Sequence, residues 1–426
     1  MKEEFIHYVW KHQMFSKKTL FTTEKKNVIV QSVGQHNHNS GPDFLNAKIE
    51  IENLIWFGNV EIHVNSSDWY LHQHETDVNY DTVVLHVVWN DDVEVFGSNN
   101  LPLPTVEISN FISKDVLKHY HRLFSQELRW IPCEKLIASV DSFVVEHWKT
   151  RLYFDRLDAK SKLIDDLLSK SNNDYEAVLF QLLMKNFGLK INGDAFLNLA
   201  NSVDFSIIRK VQNDALKLNA LLFGQAGFLI DEIEDAHYLE LKSEYEFLKH
   251  KFKLRSMNES QFQFFKMRPT NFPTIRIAQI TAVYHKYQSL FSELMKISDL
   301  ERFYSLFTVD IDRFWQTHYT FKKSSTKKVK NITKNFVDLL LINTIIPLKF
   351  NYLKRLNVDV DETFLSFLKN IKPEKNSVIA KFRNLKITAN NAFDSQALLE
   401  LKNNYCAKKR CLQCAIGNYL LKKDLV

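Results

Sequence analysis

The segment Thr82–Trp89, TVVLHVVW, is the feature that most restricts the fold of this 426-residue chain. Six of its eight residues are apolar, and an apolar run without alternation is typical of a strand that is buried on both faces of a sheet. Upstream of it the pattern reads helix, three strands and a short helix. We therefore predict an α+β fold whose N-terminal mixed sheet has Thr82–Trp89 as a central strand.

A second stretch, Gly41–His63, reads as a loop that leads into a β-hairpin. Glu61 and His63 are two residues apart on the second strand, so their side chains project from the same face. Asp43 stands where the loop enters the first strand. Two carboxylates and an imidazole that converge can bind a hard divalent cation such as Mg²⁺ or Mn²⁺. The alternative is a solvated hairpin whose polar face carries these residues by simple alternation.

Histidine is concentrated around this hairpin, since the first 113 residues hold 8 of the 15 histidines. His86 lies in the predicted central strand, where it is either a hydrogen-bonded core residue or a support behind the metal ligands. Four further histidines could reach the site from the loops on either side: His36, His38, His72 and His74. A His-X-His pair in a loop is more often a surface feature than a ligand pair, so both interpretations remain open.

The charge of the chain is divided unevenly. The first 113 residues carry 15 acidic residues, 7 lysines and no arginine, a net charge of −8, whereas the whole chain carries +6. An acidic, histidine-rich module joined to a basic one suits a metal-binding unit beside a unit that meets a polyanion. The lysine-rich segment Lys322–Lys334 predicts contacts to the phosphates of DNA or RNA. Its candidate contact residues are Lys327, Lys328 and Lys330. The alternative is an ordinary solvated surface.

From residue 114 onwards the pattern changes to amphipathic helices, so we predict a sheet domain over 1–113 and a helical domain over 114–426. The N-terminus lacks the apolar core of a signal peptide. The most apolar stretch, Phe336–Leu348, is too short to span a membrane and is interrupted by polar residues and a proline. The four cysteines are too few for a disulfide scaffold. These features favour a cytoplasmic protein without a membrane segment.

Three cysteines form the pattern Cys406-x4-Cys411-x2-Cys414, with lysine and arginine between them. Thiolates at this spacing can share Zn²⁺ or an iron–sulfur cluster, and the neighbouring cations favour the thiolate form. Such a site needs a fourth ligand, for which Cys133 is the remaining cysteine. The alternative is a set of free thiols near the C-terminus.

The order of predicted elements, together with three short motifs, resembles the core of the PD-(D/E)XK nucleases. Pro42 and Asp43 stand at the position of the PD pair, and Glu61-Ile62-His63 stands at the position of (D/E)-X-K. Glu4, in the first helix, occupies the position of an acid that many members use as a further metal ligand. The resemblance covers about the first 90 residues and implies a nuclease that uses Mg²⁺ or Mn²⁺. It departs where His63 replaces the lysine that positions the attacking water, although histidine can also hold a metal or act as a base.

Over nearly its whole length, the chain resembles the bacterial family called domain of unknown function 2851, which is found widely among the Bacteroidetes. The residues that carry this resemblance are GPDF at 41–44, WFGNVEIHVNSSDWYLHQH at 56–74, YDTVVLHVVW at 80–89, NFP at 271–273 and CLQCAIG at 411–417. The resemblance implies a family and no particular activity.

Three hypotheses follow from the sequence. In the first, the protein is a metal-dependent phosphodiesterase in which Asp43 and Glu61 hold the metal and His63 orients or deprotonates water. In the second, it binds nucleic acid without cleaving it. In the third, it is a structural or partner-binding protein whose cysteine motif only fixes the C-terminus. The chain shows no Walker loop, GxGxxG motif or GxSxG motif, so nucleotide-binding and α/β-hydrolase functions have no support from motifs.

Overall fold

The computed structural model describes residues 1–16, 20–37, 40–124, 129–359 and 362–422. It divides into two compact units, one formed by Met1–Trp148 with Leu401–Val426 and the other by Lys149–Glu400. The first unit contains a mixed sheet and the second is almost entirely helical. The predicted α+β architecture is therefore confirmed.

The first unit is built on a six-stranded sheet. Its strands are β1 Val28–Ser32, β2 Gln35–His36, β3 Phe44–Ile51, β4 Leu54–Asn65, β5 Val83–Asn90 and β6 Thr105–Glu107. The order across the sheet is β1-β3-β4-β5-β6, with β2 paired to β3. The pairs β1–β3, β2–β3 and β3–β4 are antiparallel, whereas β4–β5 and β5–β6 are parallel pairs. As predicted, β5 is an interior strand, because its run of valines and leucine packs on both faces.

Helices cover the sheet and complete the first unit. They are α1 Glu3–Lys11, α2 Asp68–Leu71, α3 Lys114–Phe124 and, after the last described turns, α19 Ala415–Lys422. The apolar side of α1 packs against β4 and is fully buried at Phe5, Val9 and Trp10. The C-terminal α19 packs against α3.

This pairing corrects the predicted domain boundary. Residues 114–148 and 401–422 read as helical, and the sequence therefore places them in the helical domain, but they belong to the first unit. The physical reason is the contact between α3 and α19, which buries Val116, Tyr120 and Leu420. Helical periodicity states that a segment has an apolar face but does not state which unit that face covers.

The second unit is an assembly of helices with one two-stranded hairpin. A long helix, α4 Ser142–Lys170, begins in the first unit and continues into the second. The others are α5 Tyr175–Phe187, α6 Leu189–Asn201, α7 Phe205–Val211, α8 Ala215–Gln225, α9 Ala236–Phe252, α10 Pro273–Lys286, α11 Leu290–Lys296, α12 Leu300–Leu306, α13 Phe314–Thr317, α14 Lys334–Leu340, α15 Ile346–Arg355, α16 Glu362–Asn370, α17 Ser377–Asn384 and α18 Ala392–Glu400. The hairpin pairs β7 His318–Thr320 with β8 Lys323–Ser324.

Aspartates fix the start of several of these helices. Each accepts a hydrogen bond from a free backbone N–H of the first turn, which is the usual role of an N-cap aspartate. The residues are Asp174, Asp204, Asp214, Asp235 and Asp299. Because these caps are local signals, the helices of this region can be predicted from the sequence.

One helical stretch in the second unit, Lys334–Arg355, is long and apolar enough to cross a membrane by length and composition. It has a mean hydropathy of 1.3 over its most apolar window, of which 67% is buried inside the protein. A core helix of a folded unit has these same properties.

Candidate metal centre

Glu61 and His63 lie on the inner half of β4, between β3 and β5. Glu61 is 5% exposed and His63 is 1% exposed, although the opposite end of the strand, Leu54–Phe57, is open to solvent. The parallel register places Glu61 beside His86. Because neither side chain reaches bulk solvent, this half of the hairpin is not a solvated polar face.

Three imidazoles meet in front of this strand. The ligand atoms of His63, His72 and His74 all lie within 4.8 Å of one another. Glu61 Oε1 is 3.5 Å from His63 Nε2 and 3.5 Å from His74 Nε2. His63 Nε2 is 3.1 Å from His72 Nδ1. The three imidazoles therefore form a group at ligand spacing, and Glu61 lies beside two of them.

These separations fit a coordinated cation. A tetrahedral Zn²⁺ with bonds of about 2.0–2.2 Å to nitrogen and oxygen needs ligand atoms about 3.3–3.6 Å apart. Three imidazoles and one carboxylate are also the donor set that transition metals prefer, whereas Mg²⁺ prefers oxygen. Of the two metals predicted from the sequence, Mn²⁺ suits this set better than Mg²⁺, and Zn²⁺ suits it well. The His-X-His pair is thus part of the cluster instead of a distant surface feature.

The turn after β4 brings His72 and His74 to His63. Asp92, which follows β5, accepts hydrogen bonds from the hydroxyls of Ser66 and Ser67 at 2.9 and 2.8 Å. These bonds tie the start of α2 to the end of β5. Gln73 then adopts a left-handed conformation with φ of 61°, which is uncommon for a residue with a side chain. This reversal directs the histidines on both sides of Gln73 toward the same place.

Aromatic rings pack against the histidines of the cluster. The His74 ring stacks on Tyr80 with a centroid distance of 3.7 Å. Trp69, which is 1% exposed, contacts the rings of His74 at 5.4 Å and His86 at 5.5 Å. Trp69 also belongs to a small apolar core with Val83 and Val95. The packing of one tryptophan therefore sets the position of two histidines.

Burial keeps the imidazoles of His63 and His86 neutral, and the neutral imidazole is the form that binds a metal. Burial, followed by the nearby imidazoles of His74 and His72, lowers the pKa of His63 to about 3. Burial also lowers the pKa of His86 well below its ordinary value. His63 Nδ1 lies 2.9 Å from His86 Nε2, so His86 can orient the ring of His63 from behind, as second-sphere partners of metal ligands do.

Asp43 lies beside Glu61 and fixes it through the backbone. The Asp43 backbone N–H donates to Glu61 Oε2 at 3.1 Å, and Asp43 Oδ2 accepts from the Ile62 N–H at 3.0 Å. Burial and the charge of Asp43 raise the pKa of Glu61 to about 9. A bound cation would displace the proton that Glu61 carries near neutral pH.

Two residues that the sequence did not single out, His7 and Glu3, complete this part of the site. His7 Nε2 is 3.2 Å from Asp43 Oδ2 and 3.8 Å from Glu3 Oε1. Glu3 therefore faces the site more directly than Glu4, the acid predicted from the sequence, although Glu4 lines the adjoining cavity. The spacing of Glu3 and His7, one helical turn apart on α1, is the only sequence signal that could have indicated this pair.

An open cavity of about 880 Å³ adjoins Asp43 and His7. Glu4 and His36 line the cavity together with these two residues. Four basic residues also line the cavity, namely Lys11, Lys408, Lys409 and Arg410. We call these four residues the basic wall. Three of them lie between Cys406 and Cys411, so the cysteine motif and the cavity share one segment.

The remaining predicted residues lie elsewhere. The side chains of Lys327 and Lys328 are exposed in the second unit. The prediction for Lys330 is wrong, because this lysine is only 3% exposed and donates to the carbonyl oxygens of Trp315 and Gln316. Those carbonyls compensate the buried ammonium, which cannot reach a phosphate. His38 lies outside the described residues. Cys133, Cys406, Cys411 and Cys414 lie in the first unit, apart from the histidine cluster.

The neutral histidines predict that the metal-free protein loses stability in mild acid. Below about pH 6 the unfolded chain protonates His63 and His86, which the folded state keeps neutral, so the unfolded state binds more protons. Glu61 acts in the opposite direction, because its raised pKa lets the folded state hold one proton more than the unfolded state down to about pH 4.5. It therefore offsets about one of the two protons that the histidines take up on unfolding. The net loss is about 1.4 kcal/mol per pH unit. Urea midpoints in EDTA at about pH 7 and about pH 5 measure it, and an unchanged midpoint would contradict the assignment.

The fold and the site together define an α+β protein with a histidine-rich candidate metal centre on a mixed sheet. The sequence profile of the family described as "Protein of unknown function (DUF2851)" matches residues 3–377. The chain belongs to this family, as the motifs at 41–44, 56–74 and 80–89 predict. We found no similar protein among the curated proteins and no similar chain among the solved structures.

Proposed function

We propose that the first unit is the catalytic unit of a metal-dependent phosphodiesterase that acts on DNA or RNA. The observation that carries the proposal is the convergence of His63, His72 and His74 at ligand spacing, with Glu61 3.5 Å from two of them. A bound Zn²⁺ or Mn²⁺ would polarise a phosphoryl oxygen and lower the pKa of water. Such chemistry suits a site placed beside a cavity with a basic wall.

The residues of the chain would divide the remaining work among them. Glu61 and the three histidines hold the cation, and Asp43 holds Glu61 in place through its backbone N–H. Burial alone would lower the pKa of His7, but its hydrogen bond to Asp43 and the charges of Asp43 and Glu3 outweigh burial and raise this pKa. His7 is therefore the group best able to carry a proton near neutral pH and give it to a leaving oxygen.

The basic wall gives the cavity its preference for a polyanion. Lys11, Lys408, Lys409 and Arg410 line the same cavity as Asp43 and His7, so a phosphate held by the wall would share a cavity with the proposed proton donor. Arginine and lysine are the side chains that usually contact phosphate. Lys327 and Lys328 remain proposed contacts of the second unit to the nucleic-acid backbone.

The strand order also supports a nuclease-like core. An N-terminal helix, three antiparallel strands, a short helix and a parallel fourth strand occur in the order α1, β1, β3, β4, α2 and β5, which is the order that the PD-(D/E)XK resemblance implies. We propose that the proline–aspartate and Glu-X-His motifs of this chain are a variant of that site, in which histidines replace the usual lysine and some of the carboxylates.

Cleavage assays test this proposal. We expect the purified protein to cut single- or double-stranded DNA or RNA with Mn²⁺ or Zn²⁺ and not in EDTA. Glu61→Gln removes a charged ligand but keeps the shape of the side chain, so it is expected to lower cleavage by about 10–1,000-fold. The matched control is Glu94→Gln, an exposed acid of the same unit, which should leave the rate unchanged.

Binding measurements separate the enzyme from a non-catalytic binder. Binding that persists in Glu61→Gln, with cleavage lost, supports the enzyme. Binding by the wild type without cleavage under any of these metals would instead favour a nucleic-acid-binding protein. Absence of both would leave the third hypothesis, a structural or partner-binding protein. Replacing Lys408 and Lys409 with alanine should flatten the salt dependence by about one unit of slope per lost phosphate contact.

A further inference from the structure

The four cysteines of the chain, which the proposed catalytic centre does not use, come together in the first unit. Cys133 lies in the turn between α3 and α4. Cys406 ends a π-helical segment, Leu401–Cys406, and Cys411 begins the short helix Cys411–Gln413, directly before Cys414. Cys133, Cys411 and Cys414 are buried, Cys406 is half-buried, and all four are free thiols. The turn between α3 and α4 and the C-terminal segment thus supply one group of four cysteines.

Each of the four thiols interacts electrostatically with the other three. The sulfurs are nevertheless spaced more widely than the imidazoles, because no three of them form a group within 4.8 Å. A single Zn²⁺ with Zn–S bonds of about 2.3 Å needs four sulfurs about 3.8 Å apart. The observed spacing is wider than one zinc ion requires.

All four cysteines line one small cavity of about 10 Å³. This is room for about one water molecule. The cavity surface is apolar, with Leu123, Ile137, Leu401 and Ile416 beside the cysteines, so a water molecule there would lack the polar partners it needs. Cysteines are the residues that hold iron–sulfur clusters, and four of them line this one dry cavity. A cluster is larger than the cavity, so its binding would move the sulfurs outward.

Burial raises the pKa of all four thiols, and at Cys414 the backbone acts in the opposite direction. The N–H groups of Ile416 and Gly417 donate to Cys414. Gly417 is required for this turn, because a Cβ atom there would lie 2.1 Å from the carbonyl oxygen of Cys411. The charges of Lys402 and Lys409 act on Cys406 and Cys411, respectively, and compensate the negative charge that coordinated thiolates bring.

From this geometry we propose that Cys133, Cys406, Cys411 and Cys414 are the four ligands of an iron–sulfur cluster. Each thiol loses its proton when it coordinates iron. The cluster would join the turn after α3 to the C-terminal segment and would fix the basic wall residues between Cys406 and Cys411. This assignment does not depend on the proposed catalytic function.

Anaerobic purification of the full chain tests the proposal without an activity assay. We expect about four iron and four sulfide per chain, with a visible thiolate-to-iron absorption band. Cys133→Ser and Cys411→Ser should each reduce the iron content to below about a tenth of the wild-type value. Gln413→Ala changes an exposed residue between two of the ligands and should retain full iron.

Three results would overturn the assignment. Wild-type protein that carries neither iron nor sulfide would leave a group of free thiols. One zinc per chain without iron would show that the site is a mononuclear one. Equal iron in wild type and both cysteine variants would place the iron elsewhere in the protein. The wild-type measurement alone decides the first two results, so the test holds even if a cysteine variant fails to fold.

Discussion

Replacing His72 with alanine is expected to weaken the binding of Zn²⁺ or Mn²⁺ by at least about 100-fold, which is about 2.7 kcal/mol. His72 Nδ1 lies 3.1 Å from His63 Nε2 and belongs to the group of three imidazoles. Its side chain is exposed, so removing it leaves the core of the unit intact and changes the unfolding free energy by less than about 0.5 kcal/mol. Isothermal titration calorimetry of the metal-free protein measures the affinity.

His250 provides the matched control for this experiment. It is an exposed histidine on α9 in the second unit, outside the histidine cluster. His250→Ala should bind metal as tightly as the wild type. Equal metal affinity of His72→Ala and His250→Ala would remove His72 from the ligand set. If the wild type binds neither metal, the cluster is a packed group of neutral imidazoles and the proposed activity fails with it.

Replacing Trp69 with alanine is expected to destabilise the first unit by about 3–5 kcal/mol, the usual cost of emptying a large aromatic site. Trp69 is 1% exposed and packs with Val83 and Val95. It also contacts the rings of His74 and His86, so metal affinity should fall in the same variant. Urea unfolding monitored by circular dichroism gives the stability, and calorimetry gives the affinity.

Trp56→Ala is the control for Trp69→Ala. Trp56 lies on the outer end of β4 and is 47% exposed. Its removal should change the stability of the unit much less than the removal of Trp69, and should not affect metal binding. If both variants lose the same stability, Trp69 is not a special support of the site. If Trp69→Ala is stable and its metal affinity is unchanged, the histidines do not depend on Trp69 for their position.

The proposed cluster and the proposed catalytic centre meet at the basic wall. Lys408, Lys409 and Arg410 lie between two cysteine ligands and also line the cavity beside Asp43. Loss of iron should therefore disturb this wall before it disturbs the histidines, which lie on β4 and the turn after it. Metal binding at the histidines and iron content at the cysteines can thus be measured as separate properties.

The sequence by itself determined the local elements of the sheet and part of the site. The apolar run of β5 and the alternation in β4 specify strands, and alternation places Glu61 and His63 on one face. These conclusions need only residues that are a few positions apart in the sequence. The position of His86 beside Glu61 follows from pairing two such strands in register. For the same reason, the caps and periodicity of the second unit indicated helices.

Only the tertiary structure decided which distant residues meet. His7 reaches Asp43 because α1 packs across β4, and Cys133 joins the C-terminal cysteines because α3 and α19 pack together. Lys330 lies in the same lysine-rich segment as Lys327, yet it is buried against the short helix α13, which offers two carbonyl oxygens to its ammonium. Local patterns state which faces are apolar or charged. They do not state which faces meet, because that choice is made by packing between segments that are far apart in the chain.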